Sequence, residues 1–579
     1  MCGIVGYTGY RSAAPILIEG LKRLEYRGYD SYGIATLASE ISIHKKAGRV
    51  SDLADSAHIL MGNIGIGHTR WATHGIPSDI NAHPHQDCTN QIAVVHNGII
   101  ENYAHLKREL IGRGHTFKSE TDTEVIAHLI EEAYQGDLLD AVRKILPRLV
   151  GSYAILVIST GDTRLIAARN QSPLVLGIGD GEIFAASDIT PILEHTSRVI
   201  YLDDGDIAEL APDSYTVYFG DHPAEREICE ITWAPETVQK GGFTHYMLKE
   251  IFEQPDVIYQ AIHAVSEETL PLSLRQASSI TVVACGSSYH AGMIFRYLIE
   301  PACGIPVRLE LGSEYKYSPV PFSDVVVGIS QSGETADTLA AIRKGVCNNI
   351  KTVAITNVLN SSITRSAHDT ILMHAGPEIS VAASKSFIAQ LGVLMQIVNI
   401  LSGRRCDEVL HHARYAIEQA LLTDLTEAVD LCSTAEHLFY VGRGVFYPVM
   451  MEGALKMKEI SYIHAEAYAA GEIKHGPFAL LSSETPVIAI CTPGPTYDVM
   501  LGNLKEIKAR GTPIIAIGYD DDHDVRDIAD VLIPISRGHP WIHVLTATVI
   551  LQLLAYHTAN RLGREIDMPR NLAKSVTVE

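Results

Sequence analysis

Basic residues are scarce in this 579-residue chain, and their scarcity excludes one class of partner. The chain carries 46 Lys and Arg against 68 Asp and Glu, a formal net charge of −22. Nucleic-acid binding requires clustered cations to meet the phosphates, and the sequence has no such cluster. We therefore expect small-molecule partners and no nucleic acid.

The cysteine spacing that is typical of metal sites is also missing. The nine cysteines are an odd number without a CxxC pair, which is typical of reduced thiols in a cytoplasmic protein. His83 and His85 have no further clustered ligands beside them in the sequence, so we predict no metal and no cofactor.

Neither a signal segment nor a run of about 18 apolar residues is visible, so we expect no membrane association. The most apolar late stretch, residues 544–556, is interrupted by threonines and Gln552. We predict that it forms a buried helix.

The composition, 46% apolar and 20% charged, is that of a globular protein long enough for three or four domains. Residues 1–220 mix short strands with glycine-rich turns, which predicts an α+β domain. Residues 221–244, within a polar stretch that begins near residue 212, predict a linker. Two α/β subdomains, 245–405 and 406–569, and a short tail, 570–579, are predicted after it.

The two subdomains share one pattern. Apolar runs at residues 280–284 and 325–329 are each followed by small polar residues and then a helical pattern, as parallel βαβ units require. The run at residues 437–442 resembles the first of them, and residues 487–490 and 514–517 supply later strands. An internal duplication is therefore favoured, although any doubly wound domain gives similar resemblances.

Cys2 is the most informative single residue. Removal of Met1 would leave a cysteine with both a thiol and a free α-amine, so that one residue holds nucleophile and base. The alternative is an ordinary buried cysteine at the start of a strand.

Further groups in this domain are suited to holding a free amino acid. A guanidinium clamps an α-carboxylate, a carboxylate pairs with an α-ammonium, and an amide with a glycine N–H forms an oxyanion hole. The candidates are Arg70, Asn97, Gly98 and Asp122.

A phosphate-type loop follows the run at residues 325–329. Its three hydroxyls and a glycine, in residues 330–335, precede a predicted helix, whose N-terminus favours an anion. Ser287 and Ser288 occupy an equivalent strand-to-helix turn. Serines at such positions are also common as simple helix caps.

Lys456 and Glu459 share one helical face, and His475 follows in the same subdomain. One interpretation is a solvated ion pair of little energetic consequence. The other is a carboxylate that abstracts a proton beside a carbonyl, an ammonium that stabilises the enolate and an imidazole that moves the ring-opening proton.

Long motifs carry a resemblance to known families. Residues 1–6, 25–31, 68–75 and 96–102 resemble the class II, N-terminal-nucleophile glutamine amidotransferases, and the second half resembles a tandem pair of sugar isomerase (SIS) domains. Together with the tail, this pairing resembles the isomerizing glutamine:fructose-6-phosphate aminotransferase family. The resemblance implies an α+β αββα sandwich followed by two doubly wound parallel-sheet α/β subdomains. It also implies a cytoplasmic homodimer.

The resemblance assigns a role to each candidate residue. Cys2 attacks glutamine, Asn97 and Gly98 stabilise the oxyanion, and Arg70, Thr73, His74 and Asp122 position the substrate. Ammonia would travel in a channel to the sugar site, with matching residues at Trp71, Cys285, Ala573 and Val576. Fructose 6-phosphate would be bound by Ser288, Ser330, Gln331, Ser332, Thr335 and Val381.

For the sugar chemistry, the resemblance implies that Lys574 forms an imine, His475 opens the ring, and Glu459 moves a proton from C1 to C2 with help from Lys456. Glucosamine 6-phosphate would be the product, on the route to UDP-N-acetylglucosamine. Departures from the family pattern are small: Tyr32 replaces a usual alanine, Ser287 a usual threonine, and Ala383-Ser384 a usual Ser-Thr.

Other interpretations remain. Amidophosphoribosyltransferase and asparagine synthetase share the first domain, but the pyrophosphate-binding loop that they need is not visible. A sugar-phosphate sensor would carry a DNA-binding helix-turn-helix in place of an amidotransferase. Another ketose or aldose phosphate could also be the acceptor.

Overall fold

The computed structural model describes residues 2–25, 28–50, 60–71, 74–231, 240–319 and 323–577. Thr73, residues 232–239 of the predicted linker and the last two residues of the predicted tail lie outside the described residues. The chain divides into two compact units, Met1–Glu236 with Ser575–Glu579, and Thr237–Lys574.

The first unit contains two antiparallel sheets. Its strands are β1 (Gly3–Gly9), β2 (Ser31–Leu37), β3 (Ile41–Ala47), β4 (Ile64–Arg70), β5 (His85–Gln86), β6 (Ile92–Ile100), β7 (Gly151–Ser159), β8 (Leu165–Asn170), β9 (Val175–Ile178), β10 (Glu182–Ala186), β11 (Arg198–Tyr201), β12 (Asp206–Ala211), β13 (Ser214–Phe219), β14 (His222–Pro223) and β15 (Cys229–Glu230). Its helices are α1 (Ala13–Leu24), α2 (Tyr103–Gly112), α3 (Glu124–Ala133) and α4 (Leu138–Ile145). One sheet has the order β15-β11-β9-β10-β1-β4-β2-β3 and the other β14-β13-β12-β8-β7-β6-β5.

The two sheets pack face to face. Ile4 and Ile66 of the first sheet share one apolar core with Val95 and Leu156 of the second. Helices α2, α3 and α4 cover the outer face of the second sheet, and α1 packs on the first sheet against Gly65 and Gly67. Because an amphipathic helix and a sheet each bury one apolar face, this stacking gives four layers. The predicted αββα sandwich is confirmed.

The predicted start of the linker was wrong. Strand β13 pairs with β12 along its whole length, and two short strands, β14 and β15, pair with β13 and β11. The polar residues 214–230 therefore belong to the sheets of the first unit. Edge strands that face water carry polar side chains, so composition alone did not separate them from a linker.

The second unit contains two parallel sheets surrounded by helices. Its strands are β16 (Ile280–Ala284), β17 (Val307–Leu311), β18 (Val325–Ser330), β19 (Lys351–Thr356), β20 (Asp369–Leu372), β21 (His437–Gly442), β22 (His464–Ala469), β23 (Val487–Ile490), β24 (Ile514–Gly518) and β25 (Val531–Pro534). Its helices are α5 (Tyr246–Phe252), α6 (Gln254–His263), α7 (Leu272–Arg275), α8 (Gly286–Cys303), α9 (Gly312–Tyr315), α10 (Ala336–Cys347), α11 (Ser362–Ser366), α12 (Lys385–Leu401), α13 (Asp407–His411), α14 (Ala413–Ala420), α15 (Thr426–Ser433), α16 (Phe446–Ser461), α17 (Tyr497–Lys508), α18 (His523–Ile528) and α19 (Pro540–Arg561).

Both parallel sheets have the same topology. The orders are β17-β16-β18-β19-β20 and β22-β21-β23-β24-β25. In each sheet the chain starts at an interior strand, adds the next strand on one side and adds all later strands on the other side. The direction in which the chain crosses the sheet therefore reverses once. In an open parallel sheet, ligands bind at the carboxyl ends of the strands beside that reversal. In the first sheet the reversal lies between β16 and β18, whose carboxyl ends lead into the predicted phosphate-binding residues.

Helix α19 is the buried helix predicted around residues 544–556, but it is longer than predicted. It has 22 residues and is long and apolar enough to cross a membrane, yet 89% of its most apolar window is buried inside the protein. It packs in one apolar core with α12 and α16. The burial identifies α19 as a core helix, because its apolar surface is already covered by the protein.

Candidate functional site

Cys2 lies at the start of β1, against the end of β4. Its sulfur accepts a hydrogen bond from the Trp71 backbone N–H at 3.2 Å, and the Asn97 amide donates to the Cys2 carbonyl oxygen at 2.9 Å. Burial raises the pKa of the Cys2 thiol, while the Trp71 N–H and the Arg70 guanidinium act in the opposite direction. Cys2 therefore lies beside an amide donor and a cation.

Arg70 and Asp122 are both buried. One guanidinium nitrogen of Arg70 donates to the carbonyl groups of His74 and Gly75, whereas Nη1 is buried without a hydrogen-bond partner among the described residues. Asp122 accepts the Ile100 N–H at 2.8 Å. A buried guanidinium nitrogen without a partner is costly unless a ligand completes it, and a substrate carboxylate supplies the matching acceptor.

Gly98 interrupts the regular geometry of β6 beside Asn97. Its φ is +125°, and a Cβ placed on it would lie 2.1 Å from the Ser152 carbonyl oxygen. Only glycine adopts this backbone conformation without strain. The conformation is therefore fixed by the neighbouring strand at the predicted oxyanion hole.

Gly98→Ala is expected to destabilise the first unit by on the order of 2–5 kcal/mol, because both strain and overlap must be relieved. Its thermal unfolding midpoint should fall by roughly 5 °C or more. Gly112→Ala is the matched control, since no atom lies within 4 Å of a Cβ built there at the end of α2. Equal midpoints for the two variants, measured by circular dichroism, would contradict the strain argument.

The histidines near Cys2 form part of the core. His83 stacks on His68 with ring centroids 4.0 Å apart, and the His85 Nε2 lies 3.1 Å from the Thr121 hydroxyl. Burial lowers the pKa of His68 to about 3, with the Arg70 charge contributing. These rings are therefore neutral at physiological pH.

The predicted phosphate-binding residues lie on two neighbouring strand ends. Ser330 ends β18, and its hydroxyl contacts Thr335 at 2.9 Å and accepts the Gly333 N–H at 3.0 Å. Gly333 has a φ of +67°. In α8, which follows the adjacent strand β16, the Ser288 hydroxyl accepts a hydrogen bond from Gln390 at 3.0 Å. Because β16 and β18 are parallel neighbours, the N-termini of α8 and α10 lie at the same edge of the sheet, a position that favours an anion.

Lys456 of α16 is fully buried and lies in an ion-pair network with buried Glu452 and half-buried Glu459. Its ammonium is 2.6 Å from Glu459 and 3.4 Å from Glu452, and Glu452 also pairs with His290 of α8 at 2.8 Å. Burial alone would lower the pKa of Lys456, but the two carboxylates outweigh it and raise the pKa. The burial of the Lys456 ammonium argues against the solvated ion pair considered as an alternative, and the two carboxylates favour its charged form.

Ser287 joins this network to the phosphate-type turn. Its hydroxyl donates to Glu452 at 2.8 Å and accepts from the Lys456 ammonium at 3.2 Å. Ser287, in the first turn of α8, is thus shared between a turn suited to an anion and a lysine–carboxylate pair suited to proton transfer.

Lys574 is buried against the loop before α12. Its ammonium donates to the Glu378 carboxylate and, at 2.7 Å, to the Ser380 carbonyl oxygen. Burial opposes ionisation of Glu378, but Lys574 and Ser386 lower its pKa to about 2. Neighbouring Glu250 is fully buried, and burial together with the Glu378 charge raises its pKa to about 8. Lys574 is therefore paired with an ionised carboxylate, and Glu250, which accepts the Ser380 N–H, has a raised pKa.

Several predicted residues are not brought together by these contacts. His475 ends the 3-10 turn Glu472–His475 and is itself exposed, and among the described residues it forms no hydrogen bond or ion pair with Lys456 or Glu459. In the tail, the Arg570 guanidinium lies over the Tyr462 ring, 4.4 Å from its centroid.

The predicted channel residues and the predicted phosphate-binding residue Val381 lie in different environments. The Trp71 indole packs edge-on against Tyr29, and the Val381 N–H donates to the Asp567 carbonyl at 2.9 Å. Cys285 and Ala573 are half-buried, and Val576 is exposed.

Four residues of these networks escaped the sequence analysis: Glu250, His290, Glu378 and Glu452. Glu452 had a signal, because its spacing of four from Lys456 places both on one helical face. The other three come from distant segments and have no such signal.

The geometry and topology define a class of protein: a glutamine amidotransferase unit followed by two SIS units. The glutamine amidotransferase domain model matches residues 68–194, and the SIS domain model matches twice, at residues 273–400 and 432–560. The predicted duplication is thereby confirmed.

Full-length relatives specify the family. The chain is 45% identical to the glutamine–fructose-6-phosphate aminotransferase (isomerizing) of Thermus thermophilus and 46% identical to that of Pyrococcus horikoshii, with 100% of both chains covered in each case. A solved C-terminal domain of glucosamine-fructose-6-phosphate aminotransferase from Francisella tularensis is 36% identical, with a TM-score of 0.53, and covers 57% of this chain and 100% of that one. The chain belongs to the isomerizing glutamine–fructose-6-phosphate aminotransferase family.

Proposed function

We propose that the protein converts fructose 6-phosphate and glutamine into glucosamine 6-phosphate and glutamate. The observation that carries the proposal is the position of Ser287, which links the phosphate-type turn to the buried Lys456 network. A sugar phosphate anchored at that turn would have its carbon chain beside a base and a fixed cation.

The first half-reaction releases ammonia. With Met1 removed, the Cys2 α-amine accepts the thiol proton, and the thiolate attacks the amide carbon of glutamine. Asn97 and Gly98 stabilise the oxyanion, the amide nitrogen leaves as ammonia, and water then hydrolyses the thioester to glutamate. Arg70 binds the substrate carboxylate, and Asp122 binds its ammonium, with Thr73 and His74 completing the pocket.

The second half-reaction aminates and isomerises the sugar. The phosphate is held by Ser288, Ser330, Gln331, Ser332, Thr335 and Val381. The Lys574 amine condenses with the C2 carbonyl of the open ketose to form an imine and releases water, and ammonia then displaces the Lys574 amine from C2. Glu459 then moves a proton from C1 to C2 while the Lys456 charge stabilises the enolamine.

Direct transfer of ammonia within the protein completes the scheme. Trp71, Cys285, Ala573 and Val576 are assigned to its path, since ammonia released to water would be protonated and lost. We further propose a homodimer in which His475 of the partner subunit opens the sugar ring. The exposure of His475 supports this assignment, and a monomer in sedimentation analysis would contradict it. A cytoplasmic location agrees with nine cysteines free of disulfides.

Product identification tests the proposal. Glutamine and fructose 6-phosphate are incubated with the protein, and the sugar product and glutamate are quantified by NMR. Glucosamine 6-phosphate and glutamate in a ratio near one are expected. A different amino sugar, or preference for another ketose or aldose phosphate, would contradict the acceptor assignment, and a large glutamate excess would contradict direct transfer.

A further inference from the structure

A cluster of four potential metal ligands lies in the first unit, built from residues that have no part in the proposed reaction. They are Cys88, His115, His128 and Glu131, and their ligand atoms all lie within 4.8 Å of one another. Cys88 follows β5, His115 follows α2, and the other two lie three residues apart on α3. Three separate segments therefore converge on one point.

Four of the six ligand-to-ligand distances in the cluster lie near the edges of a tetrahedral site, and all six are within 4.8 Å. The Cys88 sulfur is 3.5 Å from the Nδ1 atoms of both His115 and His128. One Glu131 oxygen is 3.0 Å from the first of these nitrogens and 3.2 Å from the second. With metal–nitrogen and metal–oxygen bonds of about 2.0–2.1 Å and a metal–sulfur bond of about 2.3 Å, the tetrahedral edges are about 3.3–3.6 Å. The two sulfur–nitrogen distances match these edges, and the two nitrogen–oxygen distances are slightly shorter.

The outer nitrogen of each ring faces a carboxylate. The His115 Nε2 is 3.4 Å from Glu132, and the His128 Nε2 is 3.7 Å from Glu124. Metal-bound histidines usually direct the second nitrogen to such a partner, which fixes the tautomer that leaves the ligating nitrogen free. The Cys88 N–H also donates to the ligating Glu131 oxygen at 3.1 Å, which orients that carboxylate.

We propose that Cys88, His115, His128 and Glu131 bind one Zn²⁺ ion. A thiolate, two neutral imidazoles and one carboxylate match the charge and ligand preference of zinc, and the thiol proton is released to solvent on binding. Four protein ligands fill the tetrahedral shell, so the site is structural. It joins the loop after β5 and the connection after α2 to α3, the helix that begins two residues after Asp122.

Metal content and cobalt spectra test the site in the full-length protein. After dialysis against Zn²⁺ and removal of the unbound metal, inductively coupled plasma mass spectrometry should find one zinc per chain. Replacement of zinc by Co²⁺ should give a thiolate charge-transfer band and intense tetrahedral d–d bands. Removal of the zinc with a chelator should lower the unfolding temperature of the first unit.

Two variants and one control separate this site from adventitious binding. Cys88→Ser changes an exposed side chain, and it should abolish the thiolate band and weaken zinc binding by more than about 100-fold. Glu132→Gln should weaken binding by about 10–100-fold, because it removes an outer-shell partner. Cys347→Ser, at an exposed cysteine in the second unit, should change neither the thiolate band nor the affinity for zinc. Substoichiometric zinc in the wild type, or equal zinc in Cys88→Ser and wild type, would overturn the proposal.

Discussion

Cys2→Ala is expected to lower glutamine hydrolysis by at least about 10³-fold, because it removes the proposed nucleophile and leaves only the surrounding binding groups. Ammonium ions should still support amino-sugar formation, since the sugar chemistry is assigned to residues of the second unit. Glutamate release and amino-sugar formation are measured separately, with glutamine or ammonium as the nitrogen source.

Cys229→Ala is the control for this substitution. Cys229 is a half-buried cysteine of the same unit, on edge strand β15, and has no proposed chemical role. Its glutaminase activity should remain near that of the wild type. Glutaminase activity in Cys2→Ala at the level of this control would show that another residue is the nucleophile.

Short-range signals account for the parts of the sites that the sequence predicted. The six residues 330–335 combine a strand end, hydroxyls, a glycine and a helix start, so their placement follows from local geometry. Lys456 and Glu459 are neighbours on any helix. In each case the predicted site residues lie within one helical turn or one loop of one another.

The sequence could not predict the environment of these groups. Whether the Lys456 pair is solvated depends on its burial between α16 and α8, and Glu452 and His290 meet there from positions 162 residues apart. The Cys88 cluster likewise requires three segments to converge. Such contacts depend on tertiary packing, which no local spacing encodes.

The surroundings of Lys574 could not be predicted from the sequence. An amine must be neutral to attack a carbonyl, and a neighbouring cation would favour the neutral form. The structure instead places the Lys574 ammonium on the Glu378 carboxylate, and Glu250, which accepts the Ser380 N–H, has its pKa raised by burial and by the Glu378 charge. We infer that sugar binding displaces the lysine from Glu378, and that a neighbouring group must accept its proton before the imine forms.

Lys574→Arg is expected to abolish amino-sugar synthesis, because a guanidinium keeps the positive charge beside Glu378 but cannot form an imine. In the wild type, borohydride reduction in the presence of fructose 6-phosphate should attach the sugar covalently to Lys574. Peptide mass mapping locates the adduct, and circular dichroism checks that the variant is folded.

Lys385 provides the internal control for this experiment. It is also buried, its ammonium is 2.6 Å from Glu253, and no chemistry is assigned to it. If burial beside a carboxylate were enough for reaction, borohydride would trap sugar on both lysines. An adduct on Lys574 alone would show that the lysine is selected by the position of the bound ketose. Normal synthase turnover in folded Lys574→Arg, with no adduct on Lys574 in the wild type, would show that this lysine only anchors the chain to Glu378 and that the ketose reacts without an imine.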